Sequence, residues 1–195
     1  AIAGNDLVID NASMSNITMN MSASVTINSI NINDQNGRDI FLYFSTHTLT
    51  VTNDFTGDGD HFNSDINIEM EGGNLTVHGN FIFGVKDIAE CWCVANTTNP
   101  GRLTLNGNVT LGDYARTAAT VEPDIYFEGS GTQTLTLDNL GQSNGAHYFL
   151  AEDLVFGDGT STVEIVYAGS RQLSGFFMYD GTFTDIKNNC TVELN

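Results

Sequence analysis

The chain has 195 residues, enough for one substantial hydrophobic core, and no Pro-rich or Ser/Gly-rich linker divides it. It carries 24 Asp plus Glu against 6 Lys plus Arg, a formal net charge of −18. Phosphate recognition draws on clustered bases, and here Arg38, Lys86, Arg102, Arg116, Arg171 and Lys187 are scattered singly, which makes nucleic acid and anionic membrane poor partners.

Residues 1–10 contain a short apolar strand, Leu7 to Ile9. From Ile17 the alternation is strict: Ile17, Met19, Met21, Ala23, Val25 and Ile27 share one face, and Thr18, Asn20, Ser22, Ser24, Thr26 and Asn28 share the other. This is one long strand or two strands with a bend. Ile30 and Ile32 fall on the opposite parity, and a one-residue slip reverses the faces, so a corner or bulge is expected at Ser29. Asn36-Gly37 marks a turn. Phe41 to Phe44 (FLYF) reads as a strand buried on both faces.

NLTVHGNFIFG from Asn74 and RLTLNGNVTLG from Arg102 lie 28 residues apart and have one pattern: an apolar residue alternates with a polar one, with a Gly-Asn pair between the halves. Period-two alternation with Gly/Asn punctuation is a strand signal. The same cadence occurs in THTLTVTNDF and TQTLTLDNL. It places Leu49, Leu75, Leu103 and Leu135 at successive spacings of 26, 28 and 32 residues, and self-similarity near that period indicates stacked coils. Further strands are expected in DLVFGDG, TVEIVYAG, SGFFMYDGTFTDI and NNCTVELN. The best helical segment, YARTAATV, is short, and no apolar run approaches the ~20 residues of a membrane span.

The fold class is therefore all-β, a parallel β-solenoid, with an antiparallel β-sandwich as the alternative because Asn106-Gly107 alone is a hairpin signal. Residues 1–45 are assigned to an N-terminal strand, cap or assembly segment and residues 46–195 to the solenoid.

Seven Asn-x-Ser/Thr sequons, at Asn11, Asn16, Asn20, Asn74, Asn96, Asn108 and Asn189, favour a secreted, glycosylated protein. The start at Ala1, without Met or a basic-then-apolar leader, suits a mature product. Cys91 and Cys93 point the same way in a strand and are poorly placed to bond each other. In an oxidising compartment Cys190 is expected to pair with one of them. Asp54, Asp58 and Asp60 make the one plausible calcium loop, although Phe62 breaks the EF-hand template; an acidic turn is the alternative, and no cofactor is expected.

DIYFEGSGTQTLTLDN from Asp124, then FLAEDLVFGDGTSTVEIV and GTFTDIKNNCTVELN, resembles the repeated surface modules of secreted bacterial parallel β-helix proteins. Those modules carry an F-x-G-S-G-x-Q-T-[IL] segment, an N-L-x-I-type strand and a V-x-L strand. Phe127, Gly129, Ser130, Gly131, Gln133, Thr134 and Leu135 match the first; Leu154 and Val155 approximate the second, with Glu152-Asp153 in place of the usual Tyr-Asn. The resemblance covers residues 46–195 and implies a fold shared by adhesins, filament subunits and surface-layer decorations. Members that are polysaccharide lyases or hydrolases would need clustered acids beside a base. Glu69, Glu71, Asp124, Glu128, Asp153 and Glu164 sit among surface-like residues, so no catalytic residue is assigned.

The open ends of a solenoid expose unpaired backbone groups, and the segment Ile17 to Ile27 suits addition to a neighbour's sheet. The expected function is an extracellular structural subunit of a cell-surface filament or coat, with copies of itself as partners and sugars attached. An adhesin or carbohydrate-binding module is the alternative, with a polysaccharide-active enzyme third.

Overall fold

The structure, a computed structural model, describes residues 4–11, 15–34, 38–59, 65–84, 90–94, 101–112, 115–117, 124–129, 131–138, 146–147, 154–156, 162–167, 175–176 and 191–194. Regular structure among them is entirely strand. The strands follow one another in rungs: β1 (Leu7–Asn11), β2 (Ile17–Asn20) and β3 (Val25–Ile27); then β4 (Ile30–Asp34), β5 (Ile40–Tyr43) and β6 (Thr48–Val51); then β7 (Phe55–Gly59), β8 (Asp65–Glu69) and β9 (Asn74–Val77). β10 (Phe81–Phe83), β11 (Glu90–Val94) and β12 (Arg102–Leu105) follow, then β13 (Val109–Gly112), β14 (Ala115–Thr117) and β15 (Asp124–Phe127). The last are β16 (Thr132–Asp138), β17 (Ala146–His147), β18 (Leu154–Phe156), β19 (Thr162–Tyr167), β20 (Gly175–Phe176) and β21 (Thr191–Leu194).

Every described pairing is parallel and joins strands of successive rungs. The first sheet runs β1-β4-β7-β10-β13-β16-β19-β21, the second β2-β5-β8-β11-β14, the third β3-β6-β9-β12-β15-β18, and β17 pairs β20 separately. The fold is a parallel β-solenoid. Strand pairing crosses residue 45 without a break, because β2 pairs β5 and β5 pairs β8, so the described strands of residues 1–45 are rungs of the same three sheets.

Alternation along each strand sends every second side chain inward, and register stacks those side chains in columns. In the third sheet one column is Val25, Leu49, Leu75, Leu103 and Ile125, the next Ile27, Val51, Val77, Leu105 and Phe127. All but Val25 are buried. In the first sheet Ile30, Phe55, Phe81, Val109 and Leu135 form a buried column. Burying each such side chain contributes about 1.5–3 kcal/mol before the entropy of ordering the chain is set against it. Beside that column, Gly57 makes room for aromatic packing. A Cβ there would lie 2.7 Å from the Phe83 ring, which also meets Phe55 and Phe81 at centroid distances of 6.4 and 5.4 Å.

The corner from third to first sheet explains the Asn-Gly signal. Thr52-Asn53-Asp54, His78-Gly79-Asn80 and Asn106-Gly107-Asn108 occupy the same place on successive rungs. Their first members donate backbone N–H bonds to Ile27 O (3.0 Å), Val51 O (2.9 Å) and Val77 O (2.9 Å). Asn80 N–H also donates to Asp54 Oδ1 at 2.7 Å. A Cβ on Gly107 would collide with the Gly79 carbonyl directly beneath it. The glycine thus permits close stacking of corners instead of a hairpin, and β12 and β13 lie in different sheets.

Several expectations need correction. Leu49, Leu75 and Leu103 do stack, but Leu135 belongs to the first sheet, in register with Val109; the third-sheet successor of Leu103 is Ile125. FLYF alternates, with Ile40, Leu42 and Phe44 buried and Phe41 and Tyr43 half-exposed, because the second sheet has one wet face. Ala115–Thr117, inside the helical candidate, is strand β14. Other readings hold: of the two alternatives for Ile17 to Ile27 the chain takes two strands with a bend, β2 and β3, turning at Ser22-Ala23, and the corner expected at Ser29 leads to β4. The turn at Asn36-Gly37 lies outside the described residues.

At the following rung the corner is closed by a side chain. Gln133 is buried, donates from Nε2 to Leu105 O (2.9 Å) and Gly107 O (2.6 Å), and accepts Gly129 N–H at Oε1 (3.0 Å). Leucine at this position would remove all three bonds, including the one to the buried Gly129 N–H, while Leu105 O would keep the Glu128 N–H that it accepts at 2.8 Å. Gln133→Leu is therefore expected to cost about 1–3 kcal/mol, read as a lower thermal unfolding midpoint. A wild-type midpoint would show that the corner holds without this amide.

Candidate functional site

The rung made by β1, β2 and β3 is half-paired: each strand has a neighbour on one side only among the described residues. Its apolar side chains consequently lack the second layer that covers the interior rungs. An open cavity of about 610 Å³ lies there, lined by Leu7, Met19, Met21 and Val25 and floored by Leu42 and Phe44 of the next rung. Val8 is 62% exposed and Met19 37%, the two large apolar side chains most given to solvent among the described residues. Of the proposed assembly residues, Ile17, Met21 and Val25 are half-buried, Ala23 is exposed and Ile27 is buried.

The rim of this rung is polar. Asp6 accepts hydrogen bonds at Oδ1 from Ser29 Oγ and Asn28 Nδ2, both at 2.6 Å, and these hold its carboxyl below the usual range.

A second feature lies on the outer face of the second sheet. Phe41 and Tyr43, two apart on β5, project together with ring centroids 6.1 Å apart and planes 12° from parallel. Asn67 and Glu69 of β8 are in register with them. Burial raises the Glu69 carboxyl, and the nearby Glu71 raises it further, while a hydrogen bond from Tyr43 opposes the shift. Burial and Glu69 likewise raise the Tyr43 hydroxyl.

The third sheet carries an ion pair that sequence reading missed. Arg102 Nη2 lies 2.7 Å from Glu128 Oε1, with its guanidinium 3.6 Å over the Tyr126 ring centre. The pair is hidden in the sequence because Glu128 is 26 residues from Arg102, one rung along. The near-constant repeat length was the available signal.

The sequons fall in different settings. Asn16 is exposed, with Nδ2 donating to Asp39 Oδ2 at 3.3 Å. Asn20 is exposed at the end of β2. Asn74 is half-buried and donates to Thr48 Oγ1 at 3.4 Å. Asn108 is an exposed corner residue accepting Thr134 N–H at 2.9 Å. The Asn11 side chain, Asn96 and Asn189 lie outside the described residues, as do Cys190 and the side chains of Cys91 and Cys93. The backbones of Cys91 and Cys93 pair in register with Ile66 and Ile68. No group of three His, Cys, Asp or Glu able to hold a metal occurs among the described residues. Asp54 is exposed at a corner, while Asp60 and the Asp58 side chain lie outside them. No described helix is long and apolar enough to cross a membrane.

No family model, curated protein or solved structure matches the chain.

The two carboxyl shifts have opposite consequences. Asp6, held low, favours the folded state above its unfolded pKa, and that contribution is lost as pH falls through its folded value. Glu69, held high, favours the folded state below its unfolded pKa, and that advantage is lost as pH rises through its folded value. Glu69→Gln is therefore expected to raise the unfolding midpoint at pH 7 by about 2 °C and to change little below about pH 4. A loss of stability at pH 7 would contradict the burial assigned to this carboxylate.

Proposed function

We propose that the chain is an extracellular structural subunit of a cell-surface filament or coat, joined to copies of itself through the rung of β1, β2 and β3 and carrying sugars on its sequons. The observation that carries this reading is the half-paired rung surrounding an apolar cavity. Three parallel edge strands and a cluster of unlayered Met, Leu and Val side chains offer backbone bonds and apolar area together. The complementary surface is the opposite end of a second copy, where β21, β14 and β18 are the last described strands of their sheets. Such a contact is heterologous; repeated without closing, it generates a filament. The resemblance of residues 46–195 to surface-displayed β-helix modules supports an extracellular setting. No cofactor enters this reading.

A net charge of −18 on each copy opposes association at low ionic strength. Screening shortens that repulsion to about 10 Å at 0.1 M salt, so assembly is expected to strengthen with ionic strength. A second reading, a carbohydrate-binding module, is favoured by the outward Phe41 and Tyr43 rings beside Asn67 and Glu69, because aromatic faces with adjacent polar groups suit sugars. A glycan array tests it.

The assembly reading is tested with Val8→Lys and Met19→Glu together, two exposed positions whose replacement leaves the buried columns intact. Light scattering after size exclusion should show large particles for the wild type and monomers for the variant, with unchanged circular dichroism. Assembly of the charged variant at wild-type concentration would sink the proposal.

A further inference from the structure

Asn20 and Tyr43 face each other across two rungs of the second sheet, in register. Neighbouring strands are about 4.8 Å apart, so a group attached to the Asn20 amide projects directly beside the Tyr43 and Phe41 rings. Asn20, Met21 and Ser22 form a sequon in which both Asn20 and Ser22 are exposed, and Ser22 lies in the bend after β2. The Asn20 amide has no hydrogen-bond partner among the described residues. Of the other described sequon side chains, Asn16 and Asn74 donate from Nδ2, the atom that a sugar would take, to Asp39 and Thr48, and Asn108 accepts the Thr134 N–H at Oδ1.

We infer that Asn20 is an N-glycosylation site whose first sugar, a neutral pyranose, packs its C–H face against the Phe41–Tyr43 pair. This deepens the glycoprotein part of the proposed function and rests on it. In the modification the Asn20 Nδ2–C1 bond forms, the bond from C1 to the phosphate of a lipid-linked oligosaccharide donor breaks, and the amide loses one proton.

The surroundings explain the choice of sugar. Phe41 and Tyr43 are half-buried, so their rings are positioned before any sugar arrives and little side-chain entropy is lost on contact. Asn67 and Glu69 continue the two rows and present an amide and a carboxylate to ring hydroxyls. Glu69 and Glu71 disfavour a uronic acid at this place by like-charge repulsion. The glycan also leaves the outer face of β2 rather than its free edge, so it flanks the open rung without filling the cavity.

The test is glycopeptide mass spectrometry of the protein purified from its own source, together with thermal unfolding of variants produced in that source. The Asn20 peptide is expected to carry sugar and the Asn74 peptide to be bare. Asn20→Gln should lower the unfolding midpoint by about 2–4 °C, and should lower it no further in a Tyr43→Ala background, because the two groups act as one contact. Bare Asn20 with sugar on Asn16 or Asn108 overturns this inference while leaving the glycoprotein reading standing; no sugar at any sequon removes both. Additive losses in the double variant overturn the ring contact. Should Tyr43→Ala fail to fold, Phe41→Leu, which keeps an apolar side chain and removes a ring, replaces it in the same comparison with the same two outcomes.

Discussion

In a parallel ladder the backbone groups of one rung find their partners on the next, and this chain obeys that constraint at each described corner. Ile30 N–H donates to Asp54 O, Phe55 N–H to Asn80 O and Phe81 N–H to Asn108 O, at 2.9, 2.8 and 2.8 Å. Register is thus held by bonds that join residues about one rung apart. A slip of one residue would turn the inward columns toward water, so changes in rung length are absorbed at corners and loops. The three-residue corners ending at Asp54, Asn80 and Asn108 keep the columns aligned between β6 and β7, β9 and β10, and β12 and β13.

The same constraint makes the first rung unlike the interior ones. Interior rungs have layers above and below, whereas β1, β2 and β3 have one neighbour each, and Val8 and Met19 remain open to solvent. A solenoid has no curvature that closes such an edge upon itself, unlike a barrel. The acidic surface gives copies a mutual repulsion that restrains lateral association. In the assembly proposed above, stacking at the rung would compete against that charge. The outer faces remain available for different chemistry: aromatic rings on the second sheet, and the Arg102, Tyr126 and Glu128 cluster on the third.

Much of the architecture was legible because alternation and repeat length are local properties. The Leu49, Leu75 and Leu103 column could be read directly from the x-L-T-V cadence. Leu135 was misplaced because the cadence recurs in more than one sheet, and alternation does not record which sheet a strand enters. Ile125, the true successor, lies in DIYF and lacks the Leu-Thr signature. The corner role of Asn106-Gly107 was ambiguous for a related reason: a glycine required by a carbonyl one rung below has no local mark distinguishing it from a hairpin glycine. The alternating segment Ile17 to Ile27 was legible as strand, although its division into β2 and β3 was left undecided and its place in the three sheets was not foreseen. The neighbourhood of Asn20 was not legible, since placing Tyr43 beside it requires knowing how many residues the intervening turns consume.

Hydrogen exchange of residues 15–30, followed by mass spectrometry at dilute and at high protein concentration, tests the central claim most directly. If the half-paired rung receives a neighbouring copy, the amides of β2 and β3 become strongly protected as concentration rises, while those of interior strands such as β9 keep the protection they already have. Equal exchange of β2 and β3 across the whole concentration range would contradict the account.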